Sequence, residues 1–245
     1  MNAPVKGRLF GVGTGPGDPE LLTLKAVRAL GMADVLAHFA KRGNNGNARA
    51  TVAAHLKPDV LELPLLYPVT TEIDRHHADY KAQIAAFYEE SAAAVAAHLD
   101  AGRTVAVLSE GDPLFYGSYM HLHVRLAPNY ATEVIPGVTA MSGCWSQAGL
   151  PLVQGDEILT VLPGTMSAFE LARRLADTDA AVIMKVGRNL PKIRQALEAT
   201  GKLARAVYVE RGTMDATVSL PLAEKPDDRA PYFSIVLVPG WPGRP

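Results

Sequence analysis

The feature that most restricts what this chain can become is a short apolar run emptying straight into a glycine-rich turn, Gly11-Val-Gly-Thr-Gly-Pro-Gly-Asp-Pro19. Four glycines within seven positions after a strand allow a tight backbone turn and close approach by a ligand. Asp18 is then placed at a helix N-cap with Pro19 in the first turn. Leu21, Leu24, Val27, Ala29 and Leu30 supply the expected buried face, and Gly31 the stop. The device returns as Ser109-Glu-Gly-Asp-Pro-Leu-Phe-Tyr-Gly-Ser118, directly after the clearest strand of the chain, Thr104 to Leu108. Taken singly, each aspartate reads as a helix cap. Two such turns at strand ends in one domain point to a shared ligand, because open α/β sheets bind small molecules at the carboxyl ends of their strands. Pro136-Gly-Val-Thr-Ala140 is a third strand-to-helix turn. Dinucleotide binding fails on spacing: Pro16 stands where the third glycine belongs, and His38, not an acid, ends the next strand. No Gly-Lys-Ser/Thr is present, so a phosphate loop fails too.

Short β-type runs alternate with longer helical patterns, the order that parallel strands and crossover helices produce. Strands are expected at 9–12, 35–37, 60–63, 104–108 and 132–135, with a long alanine-rich helix from His76 to Leu99 closed by Gly102. The second half predicts strands at 158–162, 181–184, 206–209, 216–220 and 233–238, a capping box at Ser167-x-x-Glu170, and a helix from Pro191 to Ala199. The last three strands leave no room for helices between them, which implies antiparallel pairing. The fold class is α/β: two α/β domains with a cleft between them, 1–136 with a mostly parallel sheet and 137–245 with a mixed one. The boundary falls near Pro136 to Ala140.

Charge then narrows the partners. Lys+Arg is 24 against Asp+Glu 25, without the basic excess of a nucleic-acid binder. The single cysteine, Cys144, excludes a disulfide framework and a multi-thiolate metal site and fits a cytoplasmic protein. Beside Trp145 it reads as a small buried hydrophobe. No run approaches the roughly 18 apolar residues of a membrane span. His121 and His123 are two apart on a helix and share no face, so no metal is expected there.

In order along the chain, GTGPGDPELLTLKA, SEGDPLFYGS, PGVTAM, MKVGRN and VERGT resemble the tetrapyrrole methyltransferases, the S-adenosylmethionine enzymes of cobalamin and sirohaem synthesis. The resemblance runs from about Arg8 to Val238. Within the family, GDPLFYGSYMHLH and MKVGRN are similar to the branch acting on the C(20) meso carbon of precorrin-2. Glu110 stands where the uroporphyrinogen branch typically carries a second glycine. The resemblance implies a methyltransferase fold unlike the Rossmann type, a homodimer, a tetrapyrrole substrate, and S-adenosylmethionine held in the interdomain cleft.

Carried onto this sequence, it implies that Pro16 lines the donor and that Glu110, Gly111 and Asp112 contact its amino-acid portion. Phe115 would pack nearby, with Thr139 and Ala140 adding contacts. The backbone around Met184, Lys185 and Val186, with Gly212 and Thr213, would hold the adenine end. Glu110 and Asp112 are expected to orient the sulfonium, and Glu110, Tyr116 or a histidine to accept a proton. The carboxylates of such a substrate call for cations, for which Arg75-His76-His77, His121-x-His123-x-Arg125 and Lys185-x-x-Arg188 are the candidates. Methylation of another tetrapyrrole position, of a cobalt-containing acceptor, of RNA or of a protein histidine, and ligand binding without catalysis, stay open at this level.

Overall fold

The computed structural model describes residues 6–68 and 78–240, which form two compact units divided between Thr139 and Ala140. The first unit runs β1 (Arg8–Gly13), α1 (Leu24–Met32), β2 (Val35–Ala40), α2 (Asn47–Thr51), β3 (Leu61–Leu66), α3 (Ala78–Asp100), β4 (Val105–Ser109), α4 (Tyr119–Leu126) and β5 (Ala131–Ile135). Its sheet has the order β3-β2-β4-β1-β5 and is parallel throughout. Alternate residues of the strands bury on opposite faces, as a parallel sheet covered on both sides requires. Leu9, Val35, Val105 and Val107 join Phe87, Val95, Leu99 and Leu122 on one face. Phe10, Val12, Leu36, Ala106 and Leu108 join Ala26, Leu30 and Val52 on the other.

The first helix departs from expectation. Asp18 accepts the Glu20 N–H at 2.8 Å and caps only a 3-10 turn, Pro19–Leu21. α1 starts afresh at Leu24 under Thr23, whose hydroxyl accepts the Ala26 N–H at 3.1 Å. The helical phase is thereby reset: Leu24 is 79% exposed, Leu21 and Val27 are half-buried, and Ala26, Ala29 and Leu30 carry the core face. Gly31 is no stop, because α1 runs through it to Met32 and turns at Ala33, whose N–H bonds the Ala29 carbonyl at 3.1 Å. Gly102 does close α3, with φ +76° and its N–H on the Leu99 carbonyl at 3.0 Å. Arg75, His76 and His77 lie outside the described residues. The second Gly-Asp-Pro opens no helix: α4 begins at Tyr119, and 110–118 is loop.

The second unit runs α5 (Ala140–Gln147), β6 (Leu159–Pro163), α6 (Ala168–Ala176), β7 (Ala180–Met184), α7 (Leu190–Ala199), β8 (Val207–Glu210), β9 (Val218–Pro221) and β10 (Ser234–Val238). Its sheet is mixed, ordered β6-β7-β10-β8-β9, with β6 and β7 parallel and the remaining pairs antiparallel. Only half of the capping box forms: Ser167 Oγ accepts the Glu170 N–H at 3.2 Å, while the Glu170 carboxylate turns to Arg173. Cys144 packs among Leu152, Val182 and Leu237, and burial pushes its thiol up to about 11, an inert hydrophobe as the sequence suggested. No helix of the described residues is long and apolar enough to cross a membrane.

At Gly31 an added Cβ meets nothing within 4 Å. Gly31→Ala should therefore raise stability by about 0.5–1 kcal/mol through helix propensity alone, read from the urea midpoint.

Candidate functional site

Three turns converge at the carboxyl edge of the neighbouring strands β4, β1 and β5. Register sets them side by side, since Gly13 pairs with Ser109 and Val12 with Ile135. Thr14 then bonds the Ser109 carbonyl with both its N–H, at 2.9 Å, and its hydroxyl, at 3.2 Å. Gly15 and Gly111 exchange backbone hydrogen bonds at 3.3 and 2.8 Å. A Cβ on Gly13 would sit 2.5 Å from the Gly137 nitrogen, and one on Gly137 would overlap the Gly111 carbonyl oxygen. Glycine at 13 and 137 is thus demanded by turn packing on turn, whereas the sequence suggested ligand access for the first turn. Gly15 and Gly111 also take φ of +76° and +63°, which side chains resist.

Asp112 joins the turns. Its Oδ1 accepts the Leu114 N–H at 2.9 Å and its Oδ2 the Gly137 N–H at 3.2 Å. The helix-cap role expected for it is replaced by a tie between the second and third turns. The loop it opens is fastened at the far end, where Ser118 Oγ bonds the Tyr67 hydroxyl and receives the Tyr88 hydroxyl at 3.2 Å. Between these anchors Tyr116 holds φ +57° and stays 46% exposed, its ring edge-on to half-buried Phe115 at 4.9 Å. A non-glycine residue there costs energy and persists only where its surroundings over-determine it. Pro16 and Thr139 are half-buried on the first and third turns.

Glu110 leaves β4 at the same edge. Burial pushes its carboxyl above the usual range, and a hydrogen bond from Asn47 Nδ2 to Oε1 at 3.2 Å works in the opposite direction. Glu110, Gly111, Asp112, Phe115 and Tyr116 share one continuous loop, with Pro16 and Thr139 on the two turns beside it.

In the second unit Met184 ends β7, and its carbonyl accepts the Gly164 N–H at 2.6 Å. Lys185 holds φ +57° and offers its carbonyl to Asn189 Nδ2 at 2.9 Å. The Val186 side chain is wholly buried in the core, so only its backbone can serve a ligand. Gly212 is buried against Cys144: a Cβ would lie 2.6 Å from Sγ, and its N–H donates to that sulfur. Thr213 holds φ +68° beside it, with a buried hydroxyl that has no partner among the described residues. Ala140 begins α5, half-buried against the core that includes Cys144.

The expected cationic ring is only partly available. His121 stacks on Tyr88 at 4.0 Å, His123 meets the Tyr119 hydroxyl at 3.2 Å, and Arg125 pairs with Glu89 at 2.8 Å. Arg188 stands exposed. Among the described residues, no three His, Cys, Asp or Glu side chains are grouped to hold a metal ion. Asn47, Ser118, Tyr67 and Tyr88 were not legible as site residues, since each reaches its partner across tens of residues and a different element.

The family model of the Tetrapyrrole (Corrin/Porphyrin) Methylases matches residues 8–225. The chain belongs to that family. A precorrin-2 C(20)-methyltransferase from Sinorhizobium sp is 74% identical over 239 residues, 98% of either chain. A cobalt-precorrin-2 C(20)-methyltransferase from Salmonella typhimurium is 30% identical, over 96% of this chain and 97% of its own. Among solved structures, the cobalt precorrin-4 methyltransferase CbiF superposes with a TM-score of 0.72 at 22% identity, covering 95% and 94% of the two chains. The uroporphyrin-III C-methyl transferase of Thermus thermophilus complexed with S-adenyl homocysteine gives 0.65 at 25% identity, covering 95% and 97%. The methylase fold expected from the ordered motifs is therefore the fold observed.

In this tetrapyrrole methylase the packed turns leave no room for a side chain at Gly13 or Gly137. Gly137→Ala should cost about 3 kcal/mol of stability, measured by denaturant unfolding, because the Cβ can be housed only by moving the 110–118 loop.

Proposed function

We propose that this chain transfers a methyl group from S-adenosylmethionine to the C(20) meso carbon of precorrin-2, giving precorrin-3A in cobalamin biosynthesis. One observation carries the reading: 74% identity over nearly the full length of a precorrin-2 C(20)-methyltransferase. The contrast with 30% identity to a cobalt-precorrin-2 enzyme favours the metal-free acceptor. A homodimer working in the cytoplasm, with neither a metal nor nucleic acid taking part, completes the proposal.

When bound, S-adenosylmethionine supplies an electrophilic methyl on a cationic sulfur whose leaving thioether is neutral, so the demand on the protein is geometric. Two observations support a donor at the residues named. Glu110 offers a carboxylate at the mouth of three fixed turns, the complement of a group bearing ammonium and sulfonium charge. Thr213 offers a buried hydroxyl with no protein partner among the described residues, in a turn where Arg211, Thr213 and Ala216 all take positive φ. Met184, Lys185, Val186 and Gly212 contribute backbone, and Pro16, Phe115, Thr139 and Ala140 the apolar and turn contacts.

Asp112 acts by position, because both its oxygens are engaged by backbone N–H groups that define the loop.

Given the donor and metal-free precorrin-2 under anaerobic conditions, the purified protein should add one methyl group, read by mass spectrometry of the tetrapyrrole. A gain confined to cobalt-loaded acceptor would move the chain to the other branch, and no gain on either would end the assignment. The anionic form of Glu110 is the one that attracts the donor. Donor affinity should therefore fall as pH drops through a value above the ordinary carboxylate range. In Glu110→Gln, calorimetry should show about tenfold weaker binding at neutral pH and no acid limb.

A further inference from the structure

α2 is five residues long, well below the length at which an isolated helix persists in water. Its start has no side-chain cap. Gly46 precedes it with φ +76°, and a Cβ there would stand 2.6 Å from the Phe39 carbonyl oxygen, so only glycine fits. Tertiary contacts therefore fix the element. Ala48, and Val52 just beyond the helix, sink into the core that contains Phe10, Leu36 and Leu108.

Arg49 reaches β3, where Nε and Nη2 both donate to the Glu62 carboxylate at 2.6–3.1 Å. That fork holds the Glu62 carboxyl below its usual range. The second neighbour of Glu62 is the buried His38 imidazole on β2, with Nε2 at 3.6 Å from Oε2. Burial holds His38 below its ordinary pKa, which favours a neutral ring at neutral pH. A bidentate ion pair on an edge strand thus locks a helix that could not hold its own position.

What α2 presents is its first residue. Asn47 extends to the end of β4 and donates to Glu110 Oε1 at 3.2 Å. An amide donor on one oxygen fixes the carboxylate plane and leaves Oε2 for a cation. We propose that Asn47 is a positioning residue of the methyl-donor site, acting through Glu110 to hold its carboxylate toward the ammonium and sulfonium charges of the donor, with the Arg49–Glu62–His38 cluster setting where Asn47 stands. The inference rests on the reading of Glu110 as a donor contact.

The test is a double-mutant cycle on the full chain, with S-adenosylmethionine as the calorimetric probe. Asn47→Ala should raise the donor Kd about fivefold, and it should add nothing once Glu110→Gln is in place. Asn47→Leu, which keeps the bulk of the amide and cannot donate, should bind as weakly as Asn47→Ala. In turnover, KM for the donor should rise while kcat stays within about twofold.

An equal loss from Asn47→Ala in both backgrounds would overturn the inference, as would Asn47→Leu binding as well as the parent. If Glu110→Gln weakens the donor and Asn47→Ala does not, only the inference fails. If neither weakens it, the reading of Glu110 fails, and the inference with it. Asn47 is exposed, so its variants should keep the parent melting temperature, and a binding loss accompanied by a matching loss of fold would count against the proposal.

Discussion

Everything at the candidate site depends on backbone lying against backbone. Gly13, Gly111 and Gly137 come from turns far apart in sequence, yet two of them have no room for a single Cβ. Parallel register brings β4, β1 and β5 to a common edge, and the absence of side chains lets the turns close on one another there. Asp112 then spends both carboxylate oxygens on backbone N–H groups, converting contact into connection. Rigidity of this kind is what an in-line transfer needs, because a small error in position is expensive where no acid-base chemistry can compensate.

In each unit a few non-glycine residues hold conformations that they would otherwise avoid. Tyr116 on the 110–118 loop, Lys185 after β7, and Arg211 and Thr213 after β8 all lie in the left-handed region. Six of the residues assigned to the donor on motif grounds lie at or next to such positions: Phe115, Met184, Lys185, Val186, Gly212 and Thr213. Backbone strain concentrated where a ligand is expected is a common mark of a binding surface, because there the local cost is offset by function. The glycines carry a different message. Gly13 and Gly137 are explained by packing within the protein, and Gly212 by the cysteine beneath it.

The loop bearing Glu110 and Tyr116 is held from two further directions. Ser118 is gripped by hydroxyls of Tyr67 and Tyr88, the latter stacked on His121, and Glu110 is met by Asn47. These supports come from the residues around β3 and from α2 and α3, elements that contribute nothing to the motifs by which the family is recognised. α3 also accounts for His121 and Arg125, whose side chains meet its Tyr88 and Glu89.

Local chemistry was readable from the chain alone. The apolar runs marked the strands, the lack of room between the last three strands marked antiparallel pairing, and the ordered turns marked the methylase family, because each signal resides in consecutive residues. Phase and partnership were not. Asp18 and Asp112 carry the same Gly-Asp-Pro signature, yet one caps a short 3-10 turn and the other ties two loops together. Leu24 looked like core and proved exposed, because Thr23 restarted the helix. Asn47 gave no signal at all. A hydrogen bond spanning 63 residues exists only after β2, β4 and the short helix between β2 and β3 have been assembled, so the residues that aim Glu110 were decided by tertiary structure.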